Sequence, residues 1–82
     1  MIRSEISKEL QELKVNSKFY SLDGEIKDYA QNVEKLQDGT YAVYYLEKDE
    51  KNNYEVFDNN SAAYEELLKR IQKSLSYRLD LS

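Results

Sequence analysis

Residues 38–48 read Asp38-Gly39-Thr40-Tyr41-Ala42-Val43-Tyr44-Tyr45-Leu46-Glu47-Lys48. From Tyr41 to Leu46 every side chain is aromatic, β-branched or apolar, and no breaker interrupts the run, which is the composition of a strand. Alternation puts Tyr41, Val43 and Tyr45 on one face and Ala42, Tyr44 and Leu46 on the other. Both faces are apolar, so the strand belongs in the middle of a sheet. Asp38-Gly39 just ahead of it is a two-residue hairpin signal of type I′. A hairpin needs a strand on each side, and residues 29–36 fill that role although neither of their faces alternates cleanly. Beyond the central strand, residues 49–53 (Asp-Glu-Lys-Asn-Asn) read as a polar turn, and residues 54–57 (Tyr-Glu-Val-Phe) as a third strand.

Helical periodicity flanks this meander. Ile2, Ile6, Leu10 and Leu13 fall on one stripe, which predicts an amphipathic helix over residues 2–14. Residues 15–28 are a connector holding Phe19, Tyr20 and Leu22, with a short extended piece at 18–22 and a turn at Asp23-Gly24. After Asp58-Asn59-Asn60, which offers several N-cap residues, Ala63, Tyr64, Leu67, Leu68, Ile71 and Leu75 repeat at helical spacing. Lys69, Arg70 and Lys73 sit toward the end of that helix, where cations complement its dipole. Tyr77, Leu79 and Leu81 alternate, so the tail reads equally as more helix, an edge strand or a frayed end. The expected fold is a single α+β domain over residues 1–82, ordered α-β-β-β-α. Its three-stranded antiparallel meander packs against an N-terminal and a C-terminal helix.

Composition narrows the chemistry. The 82 residues include no Cys, His, Pro or Trp, only two Gly, and eight Tyr. Without Cys there is no disulfide, thiolate metal site or cysteine nucleophile. Without His the commonest general base and transition-metal ligand are missing. Two Gly so placed make no phosphate-binding loop, and the serines lack the partners a nucleophile needs. The oxygen donors at 58–61 and at Asp49-Glu50 lack the spacing and the Gly of a calcium loop; helix capping and a solvated turn account for them. No metal site, cofactor, catalytic residue or enzymatic activity is therefore expected. No apolar run reaches the ~20 residues that span a bilayer, and charges interrupt the N-terminus too early for a signal peptide. These absences lead us to expect a cytoplasmic protein with no membrane association.

Charge is uneven. Residues 47–68 hold seven acidic and two basic residues, whereas 69–82 hold one acidic and four basic, within a formal net charge of −4. The basic cluster Lys69, Arg70, Lys73 and Arg78 follows helix-dipole logic, so no direct contact with nucleic acid is expected. In a meander the acidic block comes together, and a rim of carboxylates attracts basic proteins and speeds their association. Glu47, Asp49, Glu50, Glu55 and Asp58 are the candidate rim. Tyrosine combines a large apolar area with a polar tip and suits interfaces. Tyr20, Tyr44 and Tyr54 are the candidate exposed anchors.

Tyr20-Ser21-Leu22-Asp23-Gly24 resembles the opening motif of a family of small bacterial immunity proteins from polymorphic toxin systems. The resemblance continues through Tyr41-Ala42-Val43-Tyr44-Tyr45-Leu46-Glu47, then Val56-Phe57-Asp58, then Ala63-Tyr64-Glu65-Glu66-Leu67-Leu68, covering roughly residues 19–70. It departs from the family at Lys48-Asp49, where Arg-Gly is common, and at Tyr41, where a Trp is common. The resemblance implies a non-catalytic protein, monomeric or weakly dimeric, that binds and blocks one cognate toxin domain. An acidic rim suits a basic toxin such as a nuclease. An acidic phage- or plasmid-type inhibitor mimicking nucleic acid, and a small protein-interaction adaptor, are the alternative readings.

Overall fold

A computed structural model describes residues 2–22 and 25–81, with side chains as far as Leu75. Helix α1 (Arg3–Glu12) is followed by a single 3-10 turn (Ser17–Phe19) and strand β1 (Tyr20–Leu22). Then come β2 (Ala30–Lys35), β3 (Tyr41–Glu47), β4 (Glu50–Phe57) and helix α2 (Asn60–Leu81). The strands form one sheet in the order β1-β2-β3-β4. The expected antiparallel meander is present as β2-β3-β4. The three-stranded description is corrected by β1, which pairs in parallel with β2 through Tyr20–Gln31, Ser21–Asn32 and Leu22–Val33.

Both helices cover one face of the sheet. Ile6 and Leu10 of α1 join Ala63, Tyr64, Leu67, Leu68 and Ile71 of α2 over Tyr20, Leu22, Val33 and Val43, all buried. The stripe spacing read from the sequence thus sets which helix faces go inward, although Ile2 and Leu13, which flank α1 at its caps, stay exposed. The opposite face carries Asn32, Glu34, Ala42 and Tyr44, and no helix packs on it. Its β1–β2 end is covered by residues 25–29. There the Asn32 side chain accepts from the Lys27 amide (3.0 Å) and donates to the carbonyls of Lys27 (3.0 Å) and Ala30 (2.9 Å). Asn32 is fully buried with these partners in place, as a buried carboxamide must be. The Asp23-Gly24 turn lies outside the described residues.

Several chain reversals differ from the sequence expectation. Helix α1 stops at Glu12 because Lys14 takes a left-handed conformation (φ 59). Lys14 N–H then bonds Gln11 O, and Val15 N–H bonds Leu10 O, the two bonds of a Schellman motif. The Asp38-Gly39 hairpin is present, but not as type I′. Only Gly39 has positive φ, Gly39 N–H bonds Leu36 O, and Asp38 accepts from the Thr40 N–H and hydroxyl. That is a three-residue loop ending in a left-handed Gly. The two-residue turn lies instead at Lys48-Asp49, both with positive φ, inside the pair Glu47–Glu50. Strand β4 consequently starts at Glu50, in what reads as a polar turn. Opposite Tyr44 it carries an extra residue, with Asn53 left-handed (φ 55), a β-bulge. Asn59 caps α2 by accepting from Ala62 N–H at 2.8 Å, and the ambiguous tail continues the helix to Leu81.

Candidate partner-binding surfaces

The acidic block divides into three parts. Glu47, Asp49 and Glu50 stand exposed at the tip of the β3–β4 hairpin. Glu47 and Glu50 are direct cross-strand partners, an arrangement that destabilises a sheet by like-charge repulsion. Neither they nor Asp49 has an ion-pair partner among the described residues. Glu55 is different. It faces α2, where Arg70 Nη2 holds its Oε1 at 3.0 Å while Arg70 Nε holds Glu66 Oε2 at 2.9 Å. Asp58 lies beyond the far end of β4, which at ~3.3 Å per residue puts it about 26 Å from Glu50. One continuous rim is therefore not formed: the tip is free, Glu55 is neutralised, and Asp58 is remote.

The tyrosines divide as well. Tyr20 is buried beneath the helices and Tyr44 is fully buried on the other face, so the expectation that these two are exposed anchors is corrected. The bulge brings Tyr54 over Tyr44, with ring centroids 5.7 Å apart and planes 21° from parallel. Lys51 Nζ lies 5.0 Å from the Tyr44 ring and 5.7 Å from the Tyr54 ring, and 3.7 Å from Glu34 Oε1. The Tyr44 hydroxyl donates to the same Glu34 oxygen at 2.9 Å. Burial, and then this carboxylate, push the Tyr44 hydroxyl well above the ordinary tyrosine range. Tyr54 itself stays 44% exposed and Val56 50% exposed. With the free carboxylates at the tip they make the outer half of the hairpin a mixed apolar and acidic surface.

A second surface lies beside the C-terminal half of α2. An open groove of about 570 Å³ runs among Phe19, Tyr29, Tyr45, Ile71 and Leu75. It continues as a polar trough of about 850 Å³ between β4 and α2, flanked by Lys69, Arg70 and Lys73 and by Glu55 and Glu66. Gln31 lines both parts, and its Oε1 is buried without a hydrogen-bond donor. Sequence periodicity gave no sign of this groove, because Phe19 and Tyr29 sit in segments with no regular spacing. The cations along it fit the helix dipole equally well.

Among the described residues, no group of three or more acidic side chains is placed to hold a metal ion. No helix there is long and apolar enough to cross a membrane. Compared with known protein families, with characterised proteins and with solved structures, the chain matches none.

Proposed function

We propose that this protein is a non-catalytic binder that covers a basic surface of a partner protein. This is the role implied by the resemblance of residues 19–70 to immunity proteins that neutralise toxins. The observation that carries the reading is the hairpin tip, where Glu47 and Glu50 oppose each other across the Lys48-Asp49 turn, and none of the three carboxylates has an ion-pair partner among the described residues. Elsewhere Glu34, Glu55 and Glu66 each have a cation. A basic partner relieves the repulsion at the tip and gains three carboxylates at once, while Tyr54 and Val56 supply adjoining apolar area. A standard interface takes about 800 Å² from each partner, against a total surface of 5640 Å² here.

The test is coexpression with the product of the adjacent gene, followed by association kinetics at several salt concentrations. Reversal of Glu47, Asp49 and Glu50 to Lys is expected to slow association by about tenfold or more at low salt and to flatten its salt dependence. Tyr54→Ala is expected to act on the off-rate instead. Failure to form any complex removes the inhibitor reading. A complex whose on-rate ignores both salt and the three reversals removes the acidic tip from the mechanism.

A further inference from the structure

The groove beside α2 is used neither by the fold nor by the hairpin tip, and three observations define what it takes. Phe19 and Tyr29 remain 39% and 48% exposed there. Tyr29 also holds a left-handed backbone (φ 57), fixed by its N–H bond to Leu46 O at 2.7 Å. A bulky residue in that region is unusual. Lys69 and Lys73 lie one helical turn apart with no carboxylate partner among the described residues, whereas Arg70 between them has two. In a chain of net charge −4 they leave a locally cationic strip. Finally, Gln31 sits where the apolar and cationic parts meet, with a carboxamide oxygen that lacks a donor.

We propose that this groove binds a short peptide segment of a partner protein in which an apolar side chain is followed by acidic residues. The apolar side chain lodges against Phe19, Tyr29 and Leu75. The carboxylates lie along Lys69 and Lys73. A peptide N–H meets the Gln31 carboxamide once that amide rotates toward the groove. Charge complementarity chooses this occupant: the two carboxylates in the lining, Glu55 and Glu66, are held by Arg70, which leaves Lys69 and Lys73 as the charges open to a ligand, where the molecule as a whole is acidic. An open trough also suits an extended chain better than an enclosed small molecule. The proposal is independent of the hairpin tip, which attracts charge of the opposite sign.

The experiment is titration of the ¹⁵N-labelled full chain with acetyl-Phe-Leu-Asp-Glu-amide and with its neutral counterpart acetyl-Phe-Leu-Asn-Gln-amide, read by NMR. Shifts are expected at Phe19, Tyr29, Lys69 to Leu75 and the Gln31 side-chain amide, with Kd on the order of 100 µM. The neutral peptide is expected to bind about tenfold more weakly. The double variant Lys69→Glu, Lys73→Glu is expected to lose the acidic peptide by a similar factor while its amide spectrum stays dispersed. Tyr29→Gly, which suits the left-handed backbone, is expected to stay folded and bind more weakly. Equal binding of the two peptides overturns the proposal. So do shifts that map elsewhere, or none at about 2 mM peptide, well above that Kd. Sodium octanoate producing the same shifts at the same affinity also overturns it, by making the ligand a free amphiphilic anion.

Discussion

The guanidinium of Arg70 on α2 donates to the main-chain oxygen of Val43 on β3 at 3.3 Å. The contact falls where the β3–β4 register shifts, so a helix side chain serves a strand carbonyl beside the bulge. The same guanidinium grips Glu66 on its own helix and Glu55 on the edge strand. One residue thus ties helix, central strand and edge strand together.

Arg70→Ala is expected to destabilise the fold by about 1–3 kcal/mol, because it leaves a strand carbonyl and a partly buried carboxylate without their donor. Glu55→Gln is expected to cost less than about 1 kcal/mol, since Glu55 is largely exposed and its ion pair is screened. Arg70→Lys keeps the charge but not the fork of donors, and recovers only part of the loss. Urea unfolding of the three variants checks the order.

The sequence made the helices legible because burial there is periodic: Ile6, Leu10, Leu67, Leu68 and Ile71 are all buried as their spacing implies. The central strand was legible as an unbroken apolar run, and Ala42, Val43 and Tyr44 are buried on both of its faces. The reversals were less legible for a physical reason. Among the described residues, five other than glycine adopt positive φ, namely Lys14, Tyr29, Lys48, Asp49 and Asn53, in a chain with only two glycines. Turn signals rest on Gly and Pro, so the end of α1, the Lys48-Asp49 turn and the bulge carried little signal. β1 lies inside the extended piece read at 18–22, but its place in the sheet was hidden for another reason. Three residues show too little alternation to mark a strand, and parallel partners joined by only seven residues are rare. The acidic rim failed because nearness in sequence says nothing about which carboxylate a helix cation will capture, and Arg70 captured Glu55.

Core packing predicts unequal costs on neighbouring leucines. Leu67 is fully buried and Leu68 retains slight exposure. Each truncation to Ala is expected to cost about 2–5 kcal/mol, with Leu67→Ala toward the upper end because its cavity cannot open to solvent. Chemical denaturation measures both. A loss under ~0.5 kcal/mol at Leu67 is incompatible with the packing described.

The Lys48-Asp49 turn predicts a gain. Two left-handed residues with side chains are strained, and Asn-Gly is the pair this turn favours. Lys48→Asn with Asp49→Gly is expected to raise stability by about 0.5–1 kcal/mol, the relief being partly offset by the added freedom of Gly in the unfolded chain. Asp49→Val is expected to lower it, since a β-branched residue tolerates positive φ poorly. Thermal melts of the two variants against the parent decide the sign.

Tyr44 predicts how stability depends on pH. Its hydroxyl is buried and donates to Glu34, so the folded protein disfavours the phenolate and the folded pKa lies above the unfolded one, which is about 10. Below that value Tyr44 is protonated in both states, and its contribution is fully present. As pH rises past about 10 the unfolded chain releases the proton first, fewer protons are bound in the unfolded state, and stability falls. Tyr44→Phe removes this titration along with the hydrogen bond. The variant is expected to be less stable than the parent at pH 8, by about 1 kcal/mol for the lost bond. Its further loss between about pH 10 and 11.5 is expected to be shallower than the parent's. Urea midpoints at the three pH values supply the comparison. Parallel declines in parent and variant would mean that Tyr44 is not the group that keeps its proton.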